Sequence, residues 1–199
     1  MSAHWGVDEI DENGFGTHEF VDYCRTIGSE PWFGLNLGVD GPREAGDWFE
    51  YANFRGDTTL TRERAANGHP AALDVLYWGI GNESWDCGGR MSPEDYAKAY
   101  RRMEAHLPSF RNAVTPQFVA VGPDGNNPNE AANWTERVLD EWNRWRTPRV
   151  AWWDAHFYLW ATDGECGSIV EFDAAQTERL FARAAKLDDL IVQQRALLD

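Results

Sequence analysis

Basic charge is scarce in this sequence. Eighteen Lys and Arg face 33 Asp and Glu over 199 residues, a formal net charge of −15. Such a field repels polyphosphates and anionic lipid surfaces, so nucleic acid and membrane drop out as partners. Long apolar runs are missing too. No stretch approaches the ~20 residues that a membrane-spanning helix needs. The N-terminal MSAHWGVDEI has neither the basic head nor the apolar run of a signal peptide. A cytoplasmic location is the expectation. Cysteine is sparse: Cys24, Cys87 and Cys166 are odd in number, far apart and without a CxxC pair. That pattern argues against a disulfide framework or a zinc site, and for reduced thiols. His4, His18, His69 and His106 show no metal-ligand spacing. No GxGxxG or GxxxxGKS/T turn follows an apolar run, which removes the main support for dinucleotide or P-loop chemistry.

What the chain does have is apolar and aromatic material, 43% and 14% of its residues, enough for one sizeable packed domain. Eleven are tryptophans. Trp joins a broad apolar face to one polar edge, which suits a core and suits stacking on a sugar ring.

Periodicity separates the chain into alternating elements. Helical spacing over residues 17–26 stops at Gly28, and WFGLNL, 32–37, reads as a short strand. Pro42 opens a second helix to about residue 53, and a polar, Arg-rich connection covers 55–67. A strand over 75–81 follows. Ser92-Pro93-Glu94-Asp95 then has the form of an N-cap, a first-turn proline and two dipole-compensating acids, starting a helix to about 107. Further strands are expected at 117–121 and 150–158, with helices at 129–146 and 173–198. Strands separated by helices must pair in parallel through crossovers, so the fold class is α/β.

The strand ends carry Asn36, Asn82 with Glu83, and His156 with Tyr158. In a parallel barrel, functional groups sit at the carboxyl ends of the strands. VLYWGIGNESWDCGG, 75–89, therefore places Glu83 where chemistry is done. Gly79 and Gly81 clear space beside it, Asn82 offers a donor and an acceptor, and Trp85 is expected to shield the carboxyl from water and raise its pKa. His156 and Tyr158, two residues apart, share a strand face.

GIGNESWDCGG followed by MSPEDYAKAYRR resembles the segment around the acid/base catalyst of glycoside hydrolase family 51, the α-L-arabinofuranosidases. ENGFGTHEFVDYCRTIGSEPWFGLNLG, PREAGDWFEYAN and WWDAHFYLW resemble further segments of that family in the same order. The resemblance implies a partial (β/α)8 barrel over residues 1–199, about four parallel strands corresponding to barrel strands three to six. It implies that Glu83 is the general acid/base, that Asn82 binds the arabinofuranose 2-hydroxyl, that Tyr158 orients the nucleophile, and that His156 lines the sugar pocket, where Trp85 is a further candidate substrate contact. It also implies retaining hydrolysis of arabinofuranosyl oligosaccharides by two carboxylates, with no metal or organic cofactor. The pattern departs from the family at Ser84, where Asn is usual, and at Asp86, where Gly is usual. By the resemblance, the family's first two strands belong before Met1 and the strand of the nucleophilic glutamate after Asp199. Asp154, Glu165 and Glu171 are the acids left as substitutes. Three expectations follow: self-association through open barrel edges, Phe33, Leu35, Val119 and Val121 facing the barrel interior, and no activity of the chain alone. Another retaining glycosidase of the same clan, such as a β-xylosidase or endoglucanase, and a non-catalytic sugar-binding or assembly fragment stay open as alternatives.

Overall fold

Four parallel strands, β1 (Trp32–Leu35), β2 (Tyr77–Ile80), β3 (Gln117–Ala120) and β4 (Trp152–Trp153), lie side by side in chain order. The computed structural model in which they are seen describes residues 12, 14–39, 41–159, 168 and 170–199. His4, Glu165 and Cys166 lie outside that set. The helices are α1 (Thr17–Ile27), α2 (Pro42–Asn53), α3 (Thr59–Ala66), α4 (Pro93–His106), α5 (Pro128–Arg144), α6 (Ala174–Ala184) and α7 (Lys186–Leu198). The α/β class and the parallel sheet expected from the alternation are both present.

Local chemistry explains the boundaries. Gly28 ends α1 at φ 74°, a left-handed turn that glycine adopts without strain. The Ser92 hydroxyl accepts the Asp95 N–H and Pro93 opens α4, as the sequence predicts. The polar connection at 55–67 instead contains α3, started by Thr58 and Thr61 capping each other. Residues 173–198 form two helices rather than one, and Ala185 between them keeps helical dihedrals, so the break is a bend. The last strand is shorter than 150–158. Asp154 Oδ1 takes the Gly122 N–H at 2.8 Å, and Pro123 has no N–H to give, so the ladder stops after Trp153 and resumes only as a bridge between Asp124 and His156.

Alternation sorts the two faces of the sheet. Phe33 stacks on Trp48 at 4.7 Å and Trp78 meets Phe49 at 4.8 Å, so these side chains face the helices. This corrects the expectation for Phe33 and, by parity, for Leu35, both of which are buried. The opposite, inner face carries Val119 beside Trp32, Tyr77 and Trp152, and the two tryptophans are 48% and 54% exposed. Gly79 is required there, because a Cβ would come within 2.6 Å of the Trp32 indole nitrogen.

Candidate active site

Beyond the carboxyl end of β2 the chain turns at Gly81 (φ 92°), where a Cβ would press on Ser84 Oγ, Leu37 and Val121. The turn is braced from below. The buried Tyr96 hydroxyl donates to the Ile80 carbonyl at 3.0 Å and accepts the Val121 N–H at 2.6 Å, tying the ends of β2 and β3 together. Glu83 follows in the left-handed region at φ 42°, a conformation that non-glycine residues hold mainly where surroundings enforce it. Its carbonyl accepts the N–H groups of Asp86 and Gly88 at 2.8 and 3.0 Å, wrapping residues 83–88 into a tight turn.

The Glu83 carboxylate is nearly buried and meets three side chains. His156 Nδ1 lies 2.8 Å from Oε1 and the Tyr158 hydroxyl donates to the same oxygen at 3.0 Å. The Cys87 thiol donates to Oε2 at 3.1 Å. Nδ1 of His156 carries a proton whenever Glu83 is ionised, since a carboxylate has only acceptors. Burial pushes the Glu83 pKa up, but the hydrogen bonds from His156, Cys87 and Tyr158 outweigh it and hold the group below its ordinary value. This overturns the expected raised pKa.

Trp85 is half-buried next to His156. Its ring stands edge-on to His156 with centroids 6.2 Å apart, and its indole N–H donates to the Gly122 carbonyl. Asn82 is exposed. Ser84, at the position of one departure, is fully buried with its hydroxyl unpartnered, and Asp86, at the other, is exposed. Asp154 points the same way as His156, 3.7 Å from Nε2, and burial raises its pKa against the pull of the Gly122 N–H and His156. Tyr158 is held by Asn126, whose side-chain amide accepts the Tyr158 N–H at 2.9 Å and donates to its carbonyl at 2.7 Å. Glu171 is exposed in the segment before α6. Asn36 acts within its own loop, accepting the N–H groups of Gly38 and Val39.

The structure thus brings Glu83, His156 and Tyr158 together and sets Trp85 edge-on beside His156. Sequence reasoning missed Cys87 and Asn126. His18 and His69, which show no metal-ligand spacing in the sequence, have rings 3.9 Å apart beside Tyr51. Among the described residues, no group of three or more His, Cys, Asp or Glu side chains is placed to hold a metal ion.

The fold of the chain is shared with solved arabinofuranosidase structures. A GH51 arabinofuranosidase from Xanthomonas axonopodis pv. citri superposes with a TM-score of 0.83 and 31% identity, over 95% of this chain and 37% of that one. An α-L-arabinofuranosidase from Thermotoga maritima, solved as an arabinose complex, gives 0.61 and 33%, over 94% and 36%. The chain belongs to the family described as the alpha-L-arabinofuranosidase 1 domain, whose model matches residues 1–179. An intracellular exo-alpha-L-arabinofuranosidase of Bacteroides ovatus is 29% identical over 200 residues, all of this chain and 37% of the relative. A probable alpha-L-arabinofuranosidase C of Aspergillus terreus is 41% identical over 134 residues, 65% of this chain and 25% of the relative. The chain therefore spans about a third of the length of the first of these relatives.

Proposed function

We propose that this chain carries the acid/base half of the active centre of a retaining α-L-arabinofuranosidase, as barrel strands three to six of a (β/α)8 domain. The observation that carries the reading is the Glu83 carboxylate at the carboxyl end of β2, held by His156, Cys87 and Tyr158. Family membership supports the substrate class, an arabinofuranosyl oligosaccharide. The Bacteroides ovatus relative is an intracellular enzyme, which supports a cytoplasmic setting.

In this reading Glu83 first protonates the leaving oxygen and then, as the carboxylate, deprotonates the water that releases the sugar. The low pKa found here suits the second step. The first step needs the protonated acid, and a nucleophilic carboxylate ~5–5.5 Å away would raise the pKa by like-charge repulsion. Asn82, exposed at the tip, binds the sugar 2-hydroxyl. His156 and Trp85 wall the pocket, and Tyr158 orients the nucleophile when that carboxylate is present. Asp154 is a poor substitute nucleophile, because its carboxylate is engaged with the Gly122 N–H and sits behind His156. The 199 residues alone are accordingly expected to release no nitrophenol from 4-nitrophenyl α-L-arabinofuranoside beyond a Glu83→Gln control.

The test joins this chain to the remaining barrel strands of the Thermotoga maritima relative. In that polypeptide Glu83→Gln lowers turnover roughly 10²–10⁴-fold on substrates with poor leaving groups. The loss is smaller on aryl substrates, whose departure needs little protonation. Equal losses on both kinds would make Glu83 a structural residue, and preference for aryl xylosides or glucosides would move the reading to another glycosidase of the clan.

A further inference from the structure

We infer that Cys87 is a positioning residue for Glu83, its thiol holding the one carboxylate oxygen that exchanges the catalytic proton. This rests on Glu83 being the acid/base. The two oxygens of that carboxylate are unlike. Oε1 receives both His156 and Tyr158, which fills its in-plane lone pairs. A proton arriving there would have to displace a donor. Oε2 receives the Cys87 thiol alone among the described residues. It is the oxygen left for the proton, and the thiol is the group that fixes where it points.

A thiol suits both states of the cycle. S–H is a weak donor, so it stabilises the carboxylate without competing strongly with an incoming proton. Once Oε2 is protonated, Sγ becomes a weak acceptor and keeps the rotamer. The thiol's position comes from the backbone. The Asp86 and Gly88 N–H groups both close on the Glu83 carbonyl, and residue 88 must be glycine because a Cβ would collide with the Asn82 carbonyl. Cys87 is exposed, so its place at Oε2 is not a by-product of core packing; Cys24, by contrast, is buried. The two groups also act on each other's charge: hydrogen bonding to Glu83 raises the Cys87 thiol pKa, and the same bond helps lower that of Glu83.

Two measurements on the 199-residue chain test the contact without requiring turnover. In the first, Cys87 is alkylated with iodoacetamide at pH 8 and followed by peptide mass spectrometry, which separates it from the other two cysteines. Glu83→Gln should speed its alkylation by ~3–10-fold, because the thiol loses the hydrogen-bonded charge that holds its pKa up, and leave Cys24 unchanged. In the second, the Glu83 carboxyl carbon is titrated by ¹³C NMR. Cys87→Ala should move its midpoint up, and Cys87→Ser, which keeps a donor, should leave it at or below the original. Unchanged alkylation together with an unmoved midpoint would overturn the inference. The joined polypeptide then separates contact from chemistry. There Cys87→Ala should shift the limb of the pH–rate profile that reports Glu83, with Cys87→Ser restoring it, and an unshifted limb would refute the catalytic part. Full activity of Glu83→Gln would instead refute the acid/base reading and leave the contact standing.

Discussion

Protonation of Glu83 is governed by donors that reach it from 73 and 75 residues away, His156 and Tyr158, as well as by the nearby thiol. That distance explains why the pKa was misread from the sequence. Burial and a neighbouring tryptophan are visible locally, whereas the partners of a carboxylate are set by the fold. A lowered folded-state pKa contributes stability above the unfolded value of ~4.3, lost as pH falls through the folded value. Tyr158→Phe removes one donor, so it should raise the Glu83 midpoint in an NMR titration and flatten the stability rise as pH climbs toward ~4.3. Asp154 has the opposite sign. Its raised pKa means that stability present below ~3.9 is lost as pH rises through the folded value. Asp154→Asn should therefore gain on the original chain as pH rises above ~3.9, read as a growing difference in urea midpoint. Glu83, His156 and Tyr158 were legible because each falls at or just past the end of an apolar run that reads as a strand. Cys87 was not, because cysteines were weighed only for disulfide or zinc spacing, and a contact four residues on in a non-helical turn leaves no periodic mark.

At the scale of elements, helix positions were legible wherever a cap or proline punctuates an amphipathic run, as at Pro42 and Ser92. The connection holding α3 concealed its helix because the side chain that docks it is an arginine. Arg64 is 2% exposed, and its guanidinium donates to the carbonyls of Tyr51, Phe54, His69 and Pro70. A buried cation serving four carbonyls looks like surface to any hydropathy pattern. Arg64→Met should cost roughly 2–4 kcal/mol in urea unfolding, since it orphans those acceptors while keeping the bulk. The short β4 has a comparable cause, because a side chain, Asp154, takes the N–H that the ladder would have used. Gly122 is where the two strand ends touch, and a Cβ there would collide with the Asp154 carbonyl. Gly122→Ala should force β4 outward and lower the melting temperature, while Gly34→Ala, at a position with open space, should leave it nearly unchanged. Four of the tryptophans, whose composition suits a core as well as a sugar ring, are pins between elements. The indole N–H groups of Trp78, Trp85, Trp134 and Trp142 donate to the carbonyls of Val75, Gly122, Val121 and Ala97.

Across the whole molecule, the inner face of the sheet presents Trp32 and Trp152, both about half exposed, to solvent. Apolar surface of this kind, beside strand edges that no described residue pairs, favours association. The chain is expected to sediment as dimers or larger species, and Trp32→Lys with Trp152→Lys to shift it toward monomer; a monodisperse monomer of the unsubstituted chain would refute this. The order of the sheet has a consequence of a different kind. Because β1, β2, β3 and β4 neighbour one another in the order of the chain, no strand must be inserted between two made earlier. On a ribosome each new strand would meet a finished neighbour on one side and bare edge on the other, so the sheet can grow at the pace of translation. A nascent chain stalled with α4 just outside the exit tunnel should already show hydrogen-exchange protection at the β1–β2 ladder, before any part of β4 has been made.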